Sequence, residues 1–587
     1  MDGEFPFEVV LPHPGPEAVQ CGPMHSRPLI GLVVNDLVGT YQHTFWTGMI
    51  AAAAQEDCDL VSFNGGELGS HHHDKSMRRS AFDLIGAAKP DALVLLAPAL
   101  TNAGDQTRLD SFLKRLANTP LVTVGFTLAG HPALLLDNAT GMAEVVEHLV
   151  HHHGRRRFAF LGGPNFNPDA RERREIFLSV LERAGLPFEP ILEATASWDF
   201  AMAKEQVLAL CDTGVPFDAL VAANDDMALA AIEALRERGR RVPDDVVVTG
   251  FDNAEEGVWS NPGLTSVHQP VFEQGEASVR LALEHIEGSA AGRTRTMKTR
   301  LVTRGSCGCR SASLIEAHRT NHLPSAAKEG FPGCPAHLAA VRESCEEMIG
   351  GNRMTEPLIH LVEGLVSGAV DDDDVPAVEA FGLLIDLAPK RDPMPQWQDF
   401  LSRLRAASIP FFHAGPDQPR RLDGILHELR LLAEERSLRN MAQRALQAQR
   451  WAREVHETGL RLLASTDLSS LSDILAEQAR TLRISSLHLL LADRKSHSKD
   501  CSVVLAIRNG VRCSGADGER VPLRETVGSI LKGSALRSAM VVEPLYFGDE
   551  HLGHMLLEPG SRLGVLLDSL RGQVSAAVHA HTNQSKA

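Results

Sequence analysis

The stretch AANDDMALAAIEALRERGRRVPDDVVVTGFDN, residues 222–253, decides the fold of the first half of the chain. It connects two short apolar runs, at 218–224 and 246–252, through a helical pattern. Neither run alternates apolar with polar residues, as expected of strands buried on both faces of a parallel sheet. A strand, a helix and a second strand in this order form a βαβ unit. The stretch therefore predicts part of a doubly wound α/β sheet.

Similar apolar runs surround this unit and divide into two series. The first series predicts strands at 29–36, 58–65, 91–97, 120–125 and 133–138. The second predicts strands at 157–163, 218–224 and 246–252, followed by a strand at 265–269, a helix at 270–288 and a last strand at 298–304. We therefore predict two lobes, each with its own doubly wound parallel sheet. In such sheets ligands bind beyond the carboxyl ends of the strands.

The order of short motifs along this half resembles the ligand-binding core of the LacI/GalR regulators and their periplasmic-binding-protein relatives. The motifs are LGGP at 161–164, DARERR at 169–174, SWDFAMA at 197–203, the stretch 222–253, and NPGLTSVHQP at 261–270. The resemblance covers roughly residues 27–304. It implies a small-molecule effector bound between the two lobes.

The resemblance also implies which side chains line the cleft: Tyr41, Arg171, Trp198, Asn224 and Asp252. A guanidinium opposite a carboxylate holds hydroxyl or carboxylate groups in fixed geometry, and an indole supplies a flat apolar wall. This combination favours a sugar, polyol or nucleoside-like ligand.

Each of these residues also has a purely structural interpretation. Asn224 or Asp225 could cap the helix that follows, because their side chains accept free amide hydrogens of a first turn. Asp252 could hold a turn, Arg171 could lie on a solvated helix face, and Trp198 could belong to the core. The sequence alone leaves these alternatives open.

The chain outside residues 27–310 divides into four further segments. Residues 1–26 are rich in proline, which disfavours the packed helices of the helix-turn-helix with which DNA-binding LacI/GalR members begin, so we expect a disordered segment. Residues 311–436 predict a helical region of unassigned function. Residues 437–465 predict a coiled coil, and residues 466–587 resemble a small α+β GAF domain, with a hairpin at Gly548 and Asp549.

The coiled coil rests on a heptad series of apolar residues, which predicts a parallel dimer. Its members are Leu438, Met441, Ala445, Ala448, Ala452, Val455, Gly459 and Leu462. The alternative is one amphipathic helix packed on its own domain, because alanine at so many positions makes a thin seam.

Composition limits the remaining options. A net charge of −17 argues against nonspecific nucleic-acid binding, and scattered cysteines indicate a reducing compartment. With no apolar run long enough for a bilayer and no basic, apolar leader, we expect a cytoplasmic location. We expect no cofactor and no metal, because the Cys307 and Cys309 pair has no partner pair, and consecutive histidines at 71–73 and 151–153 point in different directions.

These features together predict a noncatalytic cytoplasmic sensor. Cleft closure would pass through a homodimeric helical stalk to the GAF-like unit and then to an output protein. One alternative is a transcriptional regulator that contacts DNA directly or through a partner. A second is a diverged signalling enzyme, a kinase or cyclase remnant, although no catalytic motif is visible.

Overall fold

The computed structural model describes most of the chain beyond the N-terminal segment. The described residues are 27–68, 77–100, 106–116, 119–290, 292–310, 314, 317, 330–349, 355–387, 395–413, 417–482, 484–492, 500–513, 520–532, 539–559 and 564–584. Residues 1–26, which were predicted to be disordered, and the histidines at 71–73 lie outside the described residues. Among the described helices, none is both long and apolar enough to cross a bilayer.

Lobe 1 is a parallel sheet with the strand order β11-β5-β4-β3-β1-β2. Its strands are β1 (Leu29–Val34), β2 (Asp59–Asn64), β3 (Ala92–Leu96), β4 (Leu121–Val124), β5 (Ala133–Leu136) and β11 (Thr294–Met297). Its helices are α1 (Thr40–Glu56), α2 (Ile85–Ala88), α3 (Ala97–Leu100), α4 (Gln106–Leu116) and α10 (Val271–Ile286). The five strands predicted for this lobe are confirmed, and β11 was not predicted.

Two glycines allow α1 and α10 to pack closely. A Cβ atom on Gly48 would lie 2.1 Å from the Phe272 carbonyl oxygen, and one on Gly275 would lie 2.1 Å from the Phe45 carbonyl oxygen. Backbone atoms cannot move away as a flexible side chain can. Glycine is therefore required at both positions for this helix crossing.

Lobe 2 is a parallel sheet with the strand order β7-β6-β8-β9. Its strands are β6 (Phe158–Gly162), β7 (Glu193–Thr195), β8 (Ala219–Ala222) and β9 (Val247–Thr249), and the antiparallel pair β10 (Ser266–His268) and β12 (Arg300–Val302) lies beside them. Its helices are α5 (Asn138–Glu147), α6 (Pro168–Arg183), α7 (Phe200–Asp212), α8 (Asp225–Glu237) and α9 (Glu255–Trp259). The chain passes between the lobes after β5, after β10 and after β11, which makes these points the hinge.

The helical region has its own apolar core. It consists of α11 (Pro335–Ile349), α12 (Thr355–Asp371), α13 (Val375–Leu387), α14 (Pro395–Ser408) and the first part of α15 (Gln418–Leu463). The 46-residue helix α15 continues from this core into the next domain. The boundary predicted at residue 436 therefore falls inside one helix.

The C-terminal domain is an antiparallel sheet with the strand order β17-β18-β13-β14, with helices packed on it. Its elements are α16 (Leu468–Thr481), β13 (Leu487–Ala492), β14 (Asp500–Arg508), β15 (Val511–Arg512), β16 (Arg520–Pro522), α17 (Leu523–Lys532), β17 (Ala539–Phe547), β18 (Glu550–Leu557) and α18 (Gly564–Gln584). The predicted hairpin is present, with its turn at Gly548 and Asp549 between β17 and β18.

Lobe 1 and the C-terminal domain share one sheet. Strand β17 pairs in parallel with β2, with Leu60 opposite Ala539 and Phe63 opposite Val542, so that a 12-stranded sheet runs through both domains. Leu60 and Val541 belong to the same buried apolar cluster. An exposed edge strand invites pairing because its backbone groups are unsatisfied, and β17 covers this edge of lobe 1. The separate domains predicted from the sequence did not anticipate this junction.

Candidate functional site between the lobes

Arg173 lies at the centre of the cleft between the two lobes. It is on helix α6, which begins after Asn167, whose side chain accepts a hydrogen bond from the amide of Ala170. Along this helix the buried residues Ala170, Arg173 and Phe177 recur every three or four positions. This spacing puts Arg173 on the inner face, where only 4% of its surface is exposed.

The guanidinium of Arg173 is held by several partners. Its Nε donates to Asn138 Oδ1 at 2.9 Å, and its Nη1 donates to the carbonyl oxygen of Ala223 at 2.7 Å. Nη1 also lies 3.8 Å from Asp252 Oδ1, and the group stacks 3.6 Å from the centroid of the Phe251 ring. The cation therefore has a fixed orientation before any ligand arrives.

Asp252 faces Arg173 from the end of strand β9. Gln269 Nε2 donates to its Oδ1 at 2.5 Å, and its backbone amide donates to the carbonyl of Val267 at 2.9 Å. These contacts hold Asp252 at a φ of 128°, a strained conformation for a residue with a side chain. Burial raises the pKa of Asp252 well above its usual range, and the charge of Arg173 opposes that rise.

Asn138 joins the hinge to helix α6. Its Nδ2 donates to Asp169 Oδ1 at 2.7 Å and to Glu172 Oε2 at 2.9 Å, while its Oδ1 accepts from Arg173. Asn138 begins helix α5 immediately after the chain leaves lobe 1. A change in the contacts of Arg173 is thus coupled directly to the hinge.

Tyr41 contributes from lobe 1. Burial, together with the nearby carboxylates of Asp169 and Asp252, raises the pKa of the Tyr41 hydroxyl above its ordinary value. Both carboxylates are in lobe 2, so the ring lies across the cleft from them. Asn167 Nδ2 also donates to the Pro98 carbonyl oxygen at 3.1 Å, which directly connects the lobes.

Asn224, a predicted cleft residue, and its neighbour Asp225 both have structural roles. Asn224, and not Asp225, is the cap of helix α8, because its Oδ1 accepts from the amide of Met227 at 3.0 Å. Asp225 is buried and accepts from Ser266 Oγ at 2.5 Å and from the amide of Ala254 at 2.7 Å. Burial raises the pKa of Asp225 to about 6. Asp225 therefore fastens the loop at Ala254 to the β10 strand.

Trp198 lies over the end of strand β6. A Cβ atom on Gly163 would be 2.3 Å from Cη2 of its indole, so only glycine allows the ring to sit there. The side chain is half-buried, at the edge of the lobe 2 core. It presents a flat apolar surface beside the LGGP motif.

Arg171 was predicted to line the cleft, but it lies on a different face of α6 from Arg173. It is exposed, and it lines a pocket of about 740 Å³ with Asn165, Arg174, Glu193 and Gln206. The physical reason is the helical repeat: two positions along α6 turn the side chain far from the face that carries Arg173. The arginine that meets Asp252 is Arg173.

Sequence reasoning also missed Asn138, Asp169 and Gln269 as members of this cluster. A signal for Arg173 was present, since it shares the three-to-four spacing of Ala170 and Phe177. No comparable signal marks Gln269, whose contact with Asp252 depends on the crossing of two loops.

Residues 146–307 match the family model described as a periplasmic binding protein-like domain. The HTH-type transcriptional repressor CytR of Escherichia coli is 27% identical over 243 residues, covering 41% of this chain and 69% of that protein. The HTH-type transcriptional regulator CelR of Thermobifida fusca is 32% identical over 172 residues, covering 29% of this chain and 50% of that protein.

A solved structure of a transcriptional regulator CelR–cellobiose complex is also similar. It is 23% identical, with a TM-score of 0.42, and the match covers 48% of this chain and 86% of the other. The lobe 2 topology and the family match agree on the α/β parallel-sheet architecture. Residues 146–307 are therefore periplasmic-binding-protein-like and resemble the LacI/GalR type.

Proposed function

We propose that the chain is a noncatalytic sensor that binds a sugar, polyol or nucleoside-like molecule between its lobes. The observation that carries this proposal is the buried Arg173, held by Asn138 and facing Asp252. The similar proteins named above are transcriptional regulators, and one similar structure contains cellobiose. These similarities favour a ligand with hydroxyl groups.

The chemistry of the cluster suits such a ligand. A hydroxyl group can donate to the Asp252 carboxylate while it accepts from the Arg173 guanidinium, and adjacent hydroxyls can use both partners together. We propose that Trp198 covers an apolar face of the ligand and that Tyr41 closes the cleft from lobe 1. Asn224 completes the proposed set, with its amide nitrogen as the donor.

A thermal-shift panel of cellobiose, other sugars, polyols and nucleosides tests the ligand class. We expect at least one compound to raise the melting temperature of the wild-type chain and of Arg171→Ala, but much less that of Asp252→Asn. Arg171→Ala is the matched control because it is on the same helix and outside the cluster. The proposal fails if every class leaves the wild-type melting temperature unchanged, or if Asp252→Asn responds fully.

We further propose that the signal reaches the C-terminal domain through the shared sheet. Next to the β2 and β17 pairing, Asn64 donates to Glu543, and Arg78 binds both Glu543 and Asp568. A movement of lobe 1 would therefore act on β17 without an intervening linker. A signalling change of this kind requires a ligand that prefers one arrangement of the lobes by a few kcal/mol.

The helical stalk, the homodimer and the output partner also remain proposals. In the single chain, Leu438 and Ala445 on helix α15 are exposed, as a dimer seam requires, while Val455 and Leu462 pack inside the C-terminal domain. The proposed dimer contact is thus the first half of the predicted heptad series. We propose a GAF-like role for the C-terminal domain, because its antiparallel sheet is flanked by α16 and α18.

Size-exclusion chromatography with light scattering tests the dimer. The wild-type chain should elute with twice its monomer mass, and Leu438→Asp should shift it toward the monomer. Leu446→Asp is the matched control, because Leu446 is also exposed on α15 but lies outside the heptad series. A monomeric wild-type chain would refute the proposed stalk.

A transcriptional regulator is the second candidate function, since the curated relatives are regulators of transcription. Gel-shift measurements against genomic fragments at physiological salt distinguish the two. Specific retention of a fragment would favour direct DNA binding, and its absence would favour an output protein.

A further inference from the structure

Two histidines and two cysteines converge at the edge of the lobe 2 core. His148 and His153 come from the end of helix α5, and Cys307 and Cys309 follow strand β12. One potential ligand atom from each side chain lies within 4.8 Å of all the others. Two segments more than 150 residues apart thus place four metal-ligating groups together.

A turn of π-helix brings the two histidines to the same side. Residues His148–His152 form this turn, and the amide of His153 bonds to the His148 carbonyl, five residues back, at 3.4 Å. In an ordinary α-helix, positions five apart do not face one another, whereas a π-turn aligns them. This explains why three consecutive histidines predicted no metal site: only His153 of the three takes part.

The interatomic distances fit a small tetrahedral site. Nε2 of His148 lies 3.1 Å from Nε2 of His153 and 3.4 Å from Sγ of Cys309. His153 Nε2 lies 3.3 Å from Cys309 Sγ, and Cys307 Sγ lies 3.6 Å from His148 Nε2. Zinc bonds of about 2.0 Å to nitrogen and about 2.3 Å to sulfur place tetrahedral ligands roughly 3.3–3.8 Å apart.

The surroundings favour the ligating form of Cys307. Thr265 Oγ1 donates to Cys307 Sγ at 3.0 Å, a contact that stabilises a thiolate.

We propose that His148, His153, Cys307 and Cys309 bind one Zn²⁺ ion. Two thiolates and two imidazoles form the ligand set of structural zinc, and they disfavour the hard cations Mg²⁺ and Ca²⁺. Because four protein ligands complete the tetrahedron, the ion has a structural role. It fastens the segment that leads into the helical region to helix α5 of lobe 2. This inference does not depend on ligand binding in the cleft.

The first test is the metal content of tag-free protein after gel filtration. We expect about one zinc per chain, and X-ray absorption should give a shell of two sulfur and two nitrogen ligands. Co²⁺ substituted for zinc should give the visible absorption of a tetrahedral thiolate site. Zinc well below stoichiometry in protein purified with added Zn²⁺ would overturn the proposal.

Variants locate the ion. Cys309→Ser and His153→Ala should each lower the zinc content severalfold, and both positions are only half-buried, so the variants are expected to fold. His151→Ala, exposed in the same histidine run, and Cys211→Ser, elsewhere in lobe 2, are the matched controls and should keep the zinc. Equal zinc in Cys309→Ser and the wild type would refute this site.

A melting measurement gives a readout independent of the variants. A strong chelator should lower the melting temperature of the wild-type chain by several degrees, and added Zn²⁺ should restore it. If the two cysteines instead act as neutral thiols, with Cys307 donating to the Arg304 carbonyl oxygen at 3.3 Å, the chelator will have no effect. That outcome would also overturn the proposal.

Discussion

The cleft and the junction between lobe 1 and the C-terminal domain use the same chemistry in different surroundings. In each, an arginine faces a carboxylate and an asparagine bonds to one of the two: Asn138 accepts from Arg173 opposite Asp252 in the cleft, and Asn64 donates to Glu543 opposite Arg78 at the junction. The two ion pairs have similar distances, 3.8 Å and 3.6 Å. The carboxylate side chains differ in exposure, at 26% for Asp252 and 3% for Glu543.

This difference in exposure fits the proposed roles, ligand recognition for Asp252 and domain assembly for Glu543. The Asp252 carboxylate retains surface that a ligand can reach, so its interaction with Arg173 can be shared with ligand hydroxyls. Glu543 is sealed by the paired strands β2 and β17, and among the described residues it interacts with Asn64, Arg78 and Arg571. The predictions below test this contrast from the largest expected effect to the smallest.

Arg78→Ala should destabilise the chain most. It would leave Glu543 buried without its main counter-ion, and breaking a buried pair typically costs about 3–5 kcal/mol. Chemical denaturation at pH 8, monitored through a signal from the C-terminal domain, measures the change in the free energy of unfolding. Arg115→Ala is the matched control, because Arg115 pairs with Asp83 on the surface and such pairs contribute about 0–1 kcal/mol. Equal effects of the two variants would contradict a sealed junction.

Arg173→Lys should weaken ligand binding by tenfold or more. The lysine keeps the positive charge but loses the planar fork that contacts Asn138, the Ala223 carbonyl and a ligand at once. Isothermal titration with the compound selected by the thermal-shift panel measures the dissociation constant. Arg171→Lys, on the exposed side of the same helix, should change it less than about twofold. A normal affinity for Arg173→Lys would remove Arg173 from the site.

Glu543 should make the stability of the junction depend on pH. Burial, only partly opposed by Arg78, Asn64 and Arg571 and reinforced by Asp568, raises the pKa of Glu543 from 4.5 to about 7. Between these values the folded chain binds more protons than the unfolded chain, so this group lowers stability as pH rises from about 4.5 to 7. Above pH 7 its effect is constant.

The comparison that isolates this effect is wild type against Glu543→Gln. The buried histidines His488 and His554 have lowered pKa values, which produce the opposite slope between pH 4.5 and 6.5 in both proteins. We expect the difference in melting temperature to favour Glu543→Gln increasingly as pH rises to 7. A constant difference across this range would show that Glu543 titrates normally.

The sequence predicted the lobes well because their strands are continuous apolar runs. Strands β1 to β6, β8 and β9 all fall within predicted runs, whereas β7 (Glu193–Thr195) was missed because it is only half-buried. The shared sheet could not be predicted, since strand pairing between Leu60 and Ala539 leaves no local pattern in either segment. Likewise, no change in the sequence pattern shows where, inside helix α15, one domain ends and the next begins.

The candidate site was predictable only in part. Asp252 follows strand β9 and Tyr41 lies in the first turn of helix α1, and both were predicted from the family pattern. Within the run of charged residues on α6, the choice between Arg171 and Arg173 required the helical face, which the spacing of Ala170 and Phe177 could have supplied. Predicting the cluster of His148, His153, Cys307 and Cys309 would have required predicting the π-turn. The amino-acid sequence of residues 148–153 contains no signal for such a turn.

Hydrogen–deuterium exchange of the wild-type chain, with and without a saturating compound from the panel, tests the central claim most directly. That claim is that a ligand in the cleft acts on the C-terminal domain through the pairing of β2 with β17. We predict slower exchange near Asp252 and Arg173, together with altered exchange in the peptides that contain Ser62 and Val541. Protection confined to the cleft, with unchanged exchange in β2 and β17, would contradict the account.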